Sequence, residues 1–289
     1  MKILTGILGI LLLLSGCSSV QVQDMSQHMG FITKAATATQ KAARPISDEE
    51  EYYVGRAVAA RILSMYPLSK DEYPAAYVNL IGKSIAIHSD KPFTYGGYHF
   101  AILNSHEKNA FACPGGIIFI TKGMLSAVKN EDELAAVLAH EIAHITHRDG
   151  ISAIQSSRWT EALTIIGSDA MKQYGSQELS QLVHLFEGSI DDVFRTLVVN
   201  GYGRSQEYSA DETATTLLLR AGYSPEALRD LLARIRGEGG AQAGGMLKTH
   251  PATTDRIENI SSHMPSGKTD NSLIQKRTAR FLKILQYNK

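Results

Sequence analysis

Residues 140–144 read His140-Glu141-Ile142-Ala143-His144, an HExxH sequence in a stretch that predicts a helix. At about 3.6 residues per turn, positions i and i+4 stack on one helix face, so both imidazoles can offer a nitrogen to one tetrahedral Zn²⁺ at roughly 2.1 Å. Glu141 lies about 100° around the helix, beside the metal, where it can accept a proton from water that the metal activates. The stretch therefore predicts the active site of a zinc hydrolase.

The residues around this motif predict a helix that buries one face. Asn130 suits the N-cap, and Glu133 stands at the capping-box position. An apolar stripe faces away from the histidines and comprises Leu134, Leu138, Ile142 and Ile145. HExxH arises by chance in roughly two per cent of sequences of this composition, so a coincidental match on a surface helix is the weaker interpretation.

A catalytic zinc needs a third protein ligand and one open position. His147 lies on nearly the same helix face, but three ligands in one straight row cannot surround a tetrahedral ion. We expect His147 to pack or hydrogen-bond near the helix end. Glu207 is the better candidate, because it shares a predicted helix face with Asp211 at spacing i, i+4. One carboxylate can bind metal while the other accepts the free N–H of a ligand imidazole, although such a pair alone indicates a solvated face.

Four stretches together resemble the zinc metallopeptidases that include the CaaX prenyl endopeptidase, HtpX, BepA and LoiP. They are Asn109-Ala-Phe-Ala-Cys-Pro-Gly-Gly116 with Ile-Ile-Phe-Ile-Thr121, then His140-Glu-Ile-Ala-His144, then Glu207-Tyr-Ser-Ala-Asp211, then His250-Pro251 with Arg256 downstream. Their order and spacing match the family pattern across roughly residues 46–262. HExxH alone is shared by many classes of protein, so the other stretches make the match specific.

The resemblance implies a ligand set and a fold. His140, His144 and Glu207 are expected to bind one zinc ion per chain, with Glu141 as the general base and Asp211 supporting a ligand histidine. The implied fold is α+β, a mainly helical zincin domain of the gluzincin type with a small β-sheet beside the zinc helix.

The resemblance also concerns substrate binding. In zincins an extended peptide pairs with an exposed strand edge beside the zinc. By resemblance, residues 117–121, beginning at Ile117, supply that edge, while Asn109, Ala110 and Ala112 flank the cleft. The alternative is an interior strand with only a packing role. Edge binding requires an unfolded substrate, which favours protein quality control over one defined cut.

His250 precedes a proline and follows a glycine-rich stretch that begins at Gly237. A lone histidine before proline is usually a loop residue, but the resemblance places His250 within reach of the zinc. It is then either a fourth ligand that keeps the enzyme latent or a donor that stabilises an oxyanion. The flexible glycines are compatible with such a switch, and we favour the gating role.

The N-terminus resembles that of a bacterial lipoprotein. An almost wholly apolar run from Ile3 to Leu14 is too short to span a roughly 30 Å hydrocarbon core as a helix, which is typical of a signal peptide. The sequence Leu14-Ser-Gly-Cys17 is similar to a lipobox, in which Cys17 becomes acylated and several acyl chains anchor the protein stably. Ser18 follows, as in lipoproteins sorted to the outer membrane. We expect anchoring at the periplasmic face of that membrane.

The chain divides into a signal peptide (1–16), lipidated Cys17 with a flexible tether (17–45) and a metallopeptidase domain (46–289). Within the domain, the patterns predict helices over 48–66 and 77–88, strands over 93–103 and 116–121, and helices broken near residue 174. Charged residues within 151–200 argue against a second membrane segment. The formal net charge of zero gives no indication of a nucleic-acid partner. With Cys17 acylated, Cys113 is expected to be an apolar-environment thiol without a partner in the chain.

These observations predict a membrane-tethered zinc endopeptidase that cleaves unfolded or misassembled envelope proteins. Outer-membrane proteins and their assembly machinery are the expected partners, together with the lipid bilayer. The rival hypothesis is a chaperone-like zinc lipoprotein that binds unfolded outer-membrane proteins without cutting them. The intact Glu141 and an open coordination position favour the enzyme.

Overall fold

The computed structural model describes residues 45–154, 177–239, 246–251, 254–267 and 269–286. The predicted signal peptide, Cys17, the tether up to residue 44 and the predicted helix break near residue 174 lie outside these ranges. Within them, no helix combines the length and the hydropathy that crossing a membrane requires.

The first half of the described chain contains the sheet and the HExxH helix. Helices α1 (Asp48–Met65) and α2 (Glu72–Ala86) come first. Strands β1 (His99–Leu103), β2 (Ala110–Cys113) and β3 (Ile117–Thr121) follow. Then come α3 (Lys122–Ala127), α4 (Glu131–His147) and α5 (Asp149–Ser152), of which α4 carries the HExxH motif.

The second half is helical where it is described. It comprises α6 (Gln177–Arg195), a π-helical turn (Thr196–Asn200), α7 (Arg204–Arg220), α8 (Glu226–Gly239), α9 (Met246–Thr249), α10 (Thr254–Ser262) and α11 (Asn271–Gln286). Strands β2 and β3 contact α4. The predicted α+β fold, mainly helical with a small sheet beside the HExxH helix, is confirmed.

Side-chain caps begin the two helices that the sequence predicted best. Ser47 and Glu50 form a capping box on α1, with reciprocal bonds of 3.2 and 2.8 Å. Asn130 caps α4, because its Oδ1 accepts the N–H of Glu133 at 2.8 Å. The Glu133 carboxylate accepts the N–H of Lys129 instead of that of Asn130, so only half of the predicted capping box is present.

The sheet has the strand order β1-β3-β2, in which β3 is parallel to β1 and antiparallel to β2. Ile117 is therefore paired with His99 on one side and with Cys113 on the other. The prediction that residues 117–121 form an exposed edge is wrong, and the interior-strand alternative is correct. A strand paired on both sides and covered on both faces needs an unbroken apolar sequence, which explains the run at its start.

Helix α4 is buried on every side. Its residues 131–145 are buried, because α2, α7, α8, α11 and the sheet surround it. The predicted stripe joins the larger apolar cluster and comprises Leu134, Leu138, Ile142 and Ile145. The opposite sheet face packs with α1 in a second cluster that includes Cys113, so the predicted apolar environment of this thiol is confirmed. This enclosure fixes the position of the HExxH side chains.

Candidate metal centre

Four buried side chains converge from three parts of the fold. Helix α4 supplies His140 and His144, α7 supplies Glu207, and His250 follows directly after α9. One ligand atom from each lies within 4.8 Å of the others. The Nε2 atom of His140 is 3.1 Å from Nε2 of His144 and 3.3 Å from Nδ1 of His250. The sequence therefore identified all four members of this group.

The spacing of the atoms of His140, His144 and Glu207 fits a tetrahedrally bound metal ion, whereas Nδ1 of His250 lies at a hydrogen-bond distance of 2.8 Å from Oε1 of Glu207. Ligand atoms at roughly 2.1 Å from such an ion stand about 3.4 Å apart. The Nε2 atoms of His140 and His144 lie 3.5 and 3.6 Å from the nearer carboxylate oxygens of Glu207.

Two further carboxylates, those of Glu141 and Asp211, are buried beside the group. Arg256 supplies one positive charge beside the three buried carboxylates of Glu141, Glu207 and Asp211. A further cation would compensate the remaining negative charge, so the residues fit a metal ion.

Glu141 lies beside the four ligand residues. Both of its carboxylate oxygens are buried and lack a hydrogen-bond partner among the described residues. Oε1 is 3.8 Å from Nε2 of His250. Burial raises the pKa of Glu141. A carboxylate with a raised pKa in this position is a better proton acceptor than an ordinary surface glutamate.

Asp211 and Arg256 support the group from behind. Nδ1 of His140 is 3.1 Å from Oδ1 of Asp211, which agrees with the predicted carboxylate contact to a ligand histidine. Arg256 donates two hydrogen bonds to Asp211, at 2.8 and 2.7 Å, and its Nη1 is 2.6 Å from Oε2 of Glu207. Burial opposes the charged forms of both acids, but His250 and His140 beside Glu207, and Arg256 beside Asp211, outweigh it and lower both pKa values. Both acids therefore stay ionised.

Asp149 and Tyr202 surround His144, and sequence reasoning missed both. Oδ2 of Asp149 is 2.7 Å from Nδ1 of His144. The Tyr202 ring stacks on the imidazole, with centroids 4.1 Å apart and planes at 22°. Burial, partly offset by Asp149, lowers the pKa of His144 to about 3, whereas at His140 burial is outweighed by Asp211 and Glu207, which raise the pKa of that imidazole to about 10. A carboxylate five residues after His144 was a usable signal for Asp149, whereas the sequence offered none for Tyr202.

His147 lies outside the group. Its Nε2 is 3.0 Å from Oγ1 of Thr213, and its side chain is partly exposed. This placement agrees with the predicted hydrogen-bonding role near the end of α4.

Residues 246–251, which we call the strap, contact Tyr202 and Asn109 through Thr249. The Thr249 carbonyl accepts the N–H of Tyr202 at 3.2 Å, and Oγ1 of Thr249 donates to Oδ1 of Asn109 at 3.4 Å. Gly201 has φ +78°, and a Cβ there would stand 2.3 Å from the Thr249 carbonyl oxygen, so this close approach requires glycine. The strap thus joins His250 to Asn109, the residue that precedes β2.

The other predicted substrate-binding residues fall on different strands. Ile117 lies on the central strand and has no free edge. In β2, the carbonyl of Asn109 accepts the N–H of Thr121 at 3.0 Å. Because main-chain groups of an antiparallel pair alternate in direction, those of Ala110 and Ala112 point away from β3. Among the described residues, β2 is thus one of the two edge strands of the sheet, although all four of its residues are buried.

Comparisons with known proteins agree with this geometry. The profile described as peptidase family M48 matches residues 72–264. The beta-barrel assembly-enhancing protease of Yersinia pestis is 27% identical over 223 residues, which cover 74% of this chain and 44% of that protein. Metalloprotease YcaL of Escherichia coli is 25% identical over 272 residues, which cover 92% and 98%. The mitochondrial metalloendopeptidase OMA1 of Schizosaccharomyces pombe is 30% identical over 169 residues, which cover 58% and 47%.

The chain spans less than half the length of the beta-barrel assembly-enhancing proteases that it matches. The family match nevertheless covers more than half of the chain and includes every member of the metal-binding group. The chain therefore belongs to peptidase family M48.

Proposed function

We propose that this protein is a zinc-dependent endopeptidase that cleaves unfolded or misassembled proteins of the bacterial envelope. The observation that carries the proposal is the convergence of His140, His144 and Glu207 at tetrahedral spacing, with the unbonded carboxylate of Glu141 beside them. Two imidazoles and a carboxylate are a ligand set that zinc hydrolases use. These three residues would hold one zinc ion per chain.

Bound zinc would polarise the scissile carbonyl and acidify a water molecule. Asp149 accepts the Nδ1–H of His144, and Oδ1 of Asp211 lies 3.1 Å from Nδ1 of His140, so each imidazole would present Nε2 towards the metal. Glu141 takes a proton at a carboxylate oxygen as water attacks, and then delivers it to the leaving amine nitrogen. Its burial keeps bulk water from competing for that proton.

The substrate would bind as an extended strand along β2. Ala110 and Ala112 direct main-chain groups away from β3, which is the arrangement that strand addition uses, and the Ala110 N–H, which donates to Oδ1 of Asn109 at 2.9 Å, would exchange that bond for one to the substrate. Main-chain hydrogen bonds place little demand on side chains but require an unfolded peptide. The proposal thus places the substrate on β2, whereas the sequence alone had favoured residues 117–121.

The strap would hold the enzyme in a latent state. Nδ1 of His250 lies among the ligand atoms, and Thr249 covers the buried side chain of Asn109 at the start of β2. One movement of the strap would therefore free the fourth coordination position of the metal and, at the same time, the strand along which the substrate binds. The other role that we considered for His250, stabilising an oxyanion, predicts an effect of opposite sign when the residue is removed.

The cellular setting rests on the relatives and on the N-terminal sequence. Two related proteins are named for enhancing beta-barrel assembly, which supports outer-membrane proteins and their assembly machinery as partners. The lipobox-like sequence supports attachment of Cys17 to the lipid bilayer, with the domain at the periplasmic face of the outer membrane.

Zinc stoichiometry and proteolysis, measured on one preparation, test the proposal. We expect about one zinc per chain and cleavage of an unfolded casein substrate. Cleavage should stop after treatment with a chelator and return with added Zn²⁺, while a folded control protein stays intact. A metal-loaded protein that binds unfolded outer-membrane protein without cutting it would support the chaperone-like alternative.

A further inference from the structure

Tyr202 is a buried residue of the metal centre without a role in the mechanism above. Its ring is stacked on His144, while its hydroxyl has no hydrogen-bond partner among the described residues. Leaving a buried hydroxyl unbonded typically costs about 1–3 kcal/mol. The hydroxyl therefore does not stabilise this arrangement, and the contact that Tyr202 supplies is the face of its ring.

The Tyr202 ring lies nearly parallel to that of His144 and is tilted at 57° to that of His250, whose centroid is 5.7 Å away. His144 is therefore the ligand on which the Tyr202 ring stacks, and His144 is held at two places. Asp149 accepts the Nδ1–H and so fixes which nitrogen is available to the metal. This single hydrogen bond would leave the imidazole ring free to rotate about the axis from Nδ1 of His144 to Oδ2 of Asp149. The stacked ring of Tyr202 removes that freedom, because rotation of the imidazole would break the parallel contact.

The main chain fixes both holding residues. Asp149 follows Arg148, which adopts the left-handed conformation with φ +60°, and the Arg148 guanidinium donates to the Ile46 carbonyl at 2.6 Å. This anchored reversal of the chain directs Asp149 back towards the end of α4. On the other side, the N–H of Tyr202 donates to the Thr249 carbonyl at 3.2 Å.

We propose that Tyr202 is a positioning residue whose ring sets the plane of the His144 imidazole and thereby the metal affinity of the site. The inference rests on the proposed metal-dependent function. It assigns the effect to the planar ring and not to the hydroxyl. Loss of the ring should weaken metal binding about as much as loss of a hydrogen-bonded partner of a metal ligand, roughly 10- to 100-fold.

The experiment compares Tyr202→Phe, Tyr202→Met and Tyr202→Leu. Phenylalanine keeps the ring, whereas the flexible methionine and leucine side chains fill the space without a planar face. Tyr98→Met is the matched control, because Tyr98 is also buried and stacked, in its case on Phe100 at 6.3 Å and 16°. Zinc affinity is measured by competition with a chromophoric chelator, and the ligand geometry by the absorption bands of the Co²⁺-substituted protein.

We expect Tyr202→Met and Tyr202→Leu to lose at least about 10-fold in zinc affinity and to shift the cobalt bands. The zinc affinities of Tyr202→Phe and Tyr98→Met should stay within about twofold of that of the wild-type protein. The wild-type protein itself is expected to bind zinc and is the reference in every comparison. Wild-type affinity and bands in either ringless variant would overturn the inference, and so would a loss in Tyr202→Phe equal to theirs. Wild-type protein that binds no zinc would instead defeat the proposed function.

Discussion

The Nδ1 atom of His250 lies 2.8 Å from Oε1 of Glu207, although 43 residues separate the two in the sequence. Both side chains are buried, and both belong to the group that fits a metal ion. His250 is therefore close enough to the predicted ligands for the fourth-ligand role that we propose. Because Thr249 next to it contacts Asn109, the movement of His250 that we propose would also affect the residue that precedes β2.

The first prediction concerns the strap. His250→Ala should raise basal cleavage of unfolded casein, because a restraint worth about 1 kcal/mol in favour of the closed state lowers activity roughly fivefold. Initial rates at equal zinc content provide the measurement. His263→Ala, at an exposed histidine beyond α10, is the control and should leave the rate unchanged. A lower rate with unchanged zinc content would show that His250 stabilises an oxyanion instead.

The second prediction concerns the third ligand. Glu207→Ala should lower zinc affinity by more than about 100-fold, since loss of a direct ligand exceeds the effect of losing a supporting residue. His147→Ala should keep about one zinc per chain, because its imidazole contacts Thr213 outside the metal-binding group. Chelator competition on both purified variants decides. The assignment is wrong if the histidine variant loses the metal and the glutamate variant keeps it.

The third prediction concerns substrate binding along β2. N-methylation of single backbone amides in a peptide substrate should lower kcat/KM about fivefold at alternate positions, because each lost hydrogen bond contributes about 1 kcal/mol. The intervening amides, which point away from β2, serve as the control. Equal effects at every position, or none at any, would rule out strand addition.

Local sequence patterns were enough to predict the start of a helix where the capping residues are its neighbours in the sequence. Helices α1 and α4 begin at Ser47 and Asn130, where neighbouring residues satisfy the first free N–H groups. The strand predicted from residue 93 begins only at His99, because the chain turns at Gly97 with φ +76°. Helix α2 begins at Glu72, five residues before the predicted start.

The sequence did not predict which strands pair with each other in the sheet. Strand β2 has four residues, and its extended state depends on its antiparallel partner. An apolar run such as that of β3 suits an interior strand, but the sequence does not say which neighbours it has. The same limit applies to Tyr202, since its place beside His144 arises only after α7 packs against α4. His140, Glu141 and Glu207 were recognisable because their chemistry is written in fixed short spacings.

The fourth prediction concerns the anchor. Cys17→Ser should abolish incorporation of radiolabelled palmitate and release the protein from its membrane fraction, because stable anchoring requires the acyl chains. Cys113→Ser removes the buried cysteine and should leave labelling unchanged. Absence of label from the wild-type protein would disprove lipid attachment at Cys17.

The most direct test of the central claim is proteolysis by Glu141→Gln. The substitution keeps the size of the side chain but removes the proton acceptor, so kcat should fall by about 10²- to 10⁴-fold while zinc content and folding stay those of wild type. Glu133→Gln, at another buried glutamate of α4, should retain near-wild-type cleavage. Normal cleavage by a zinc-loaded Glu141→Gln protein would contradict the proposed mechanism.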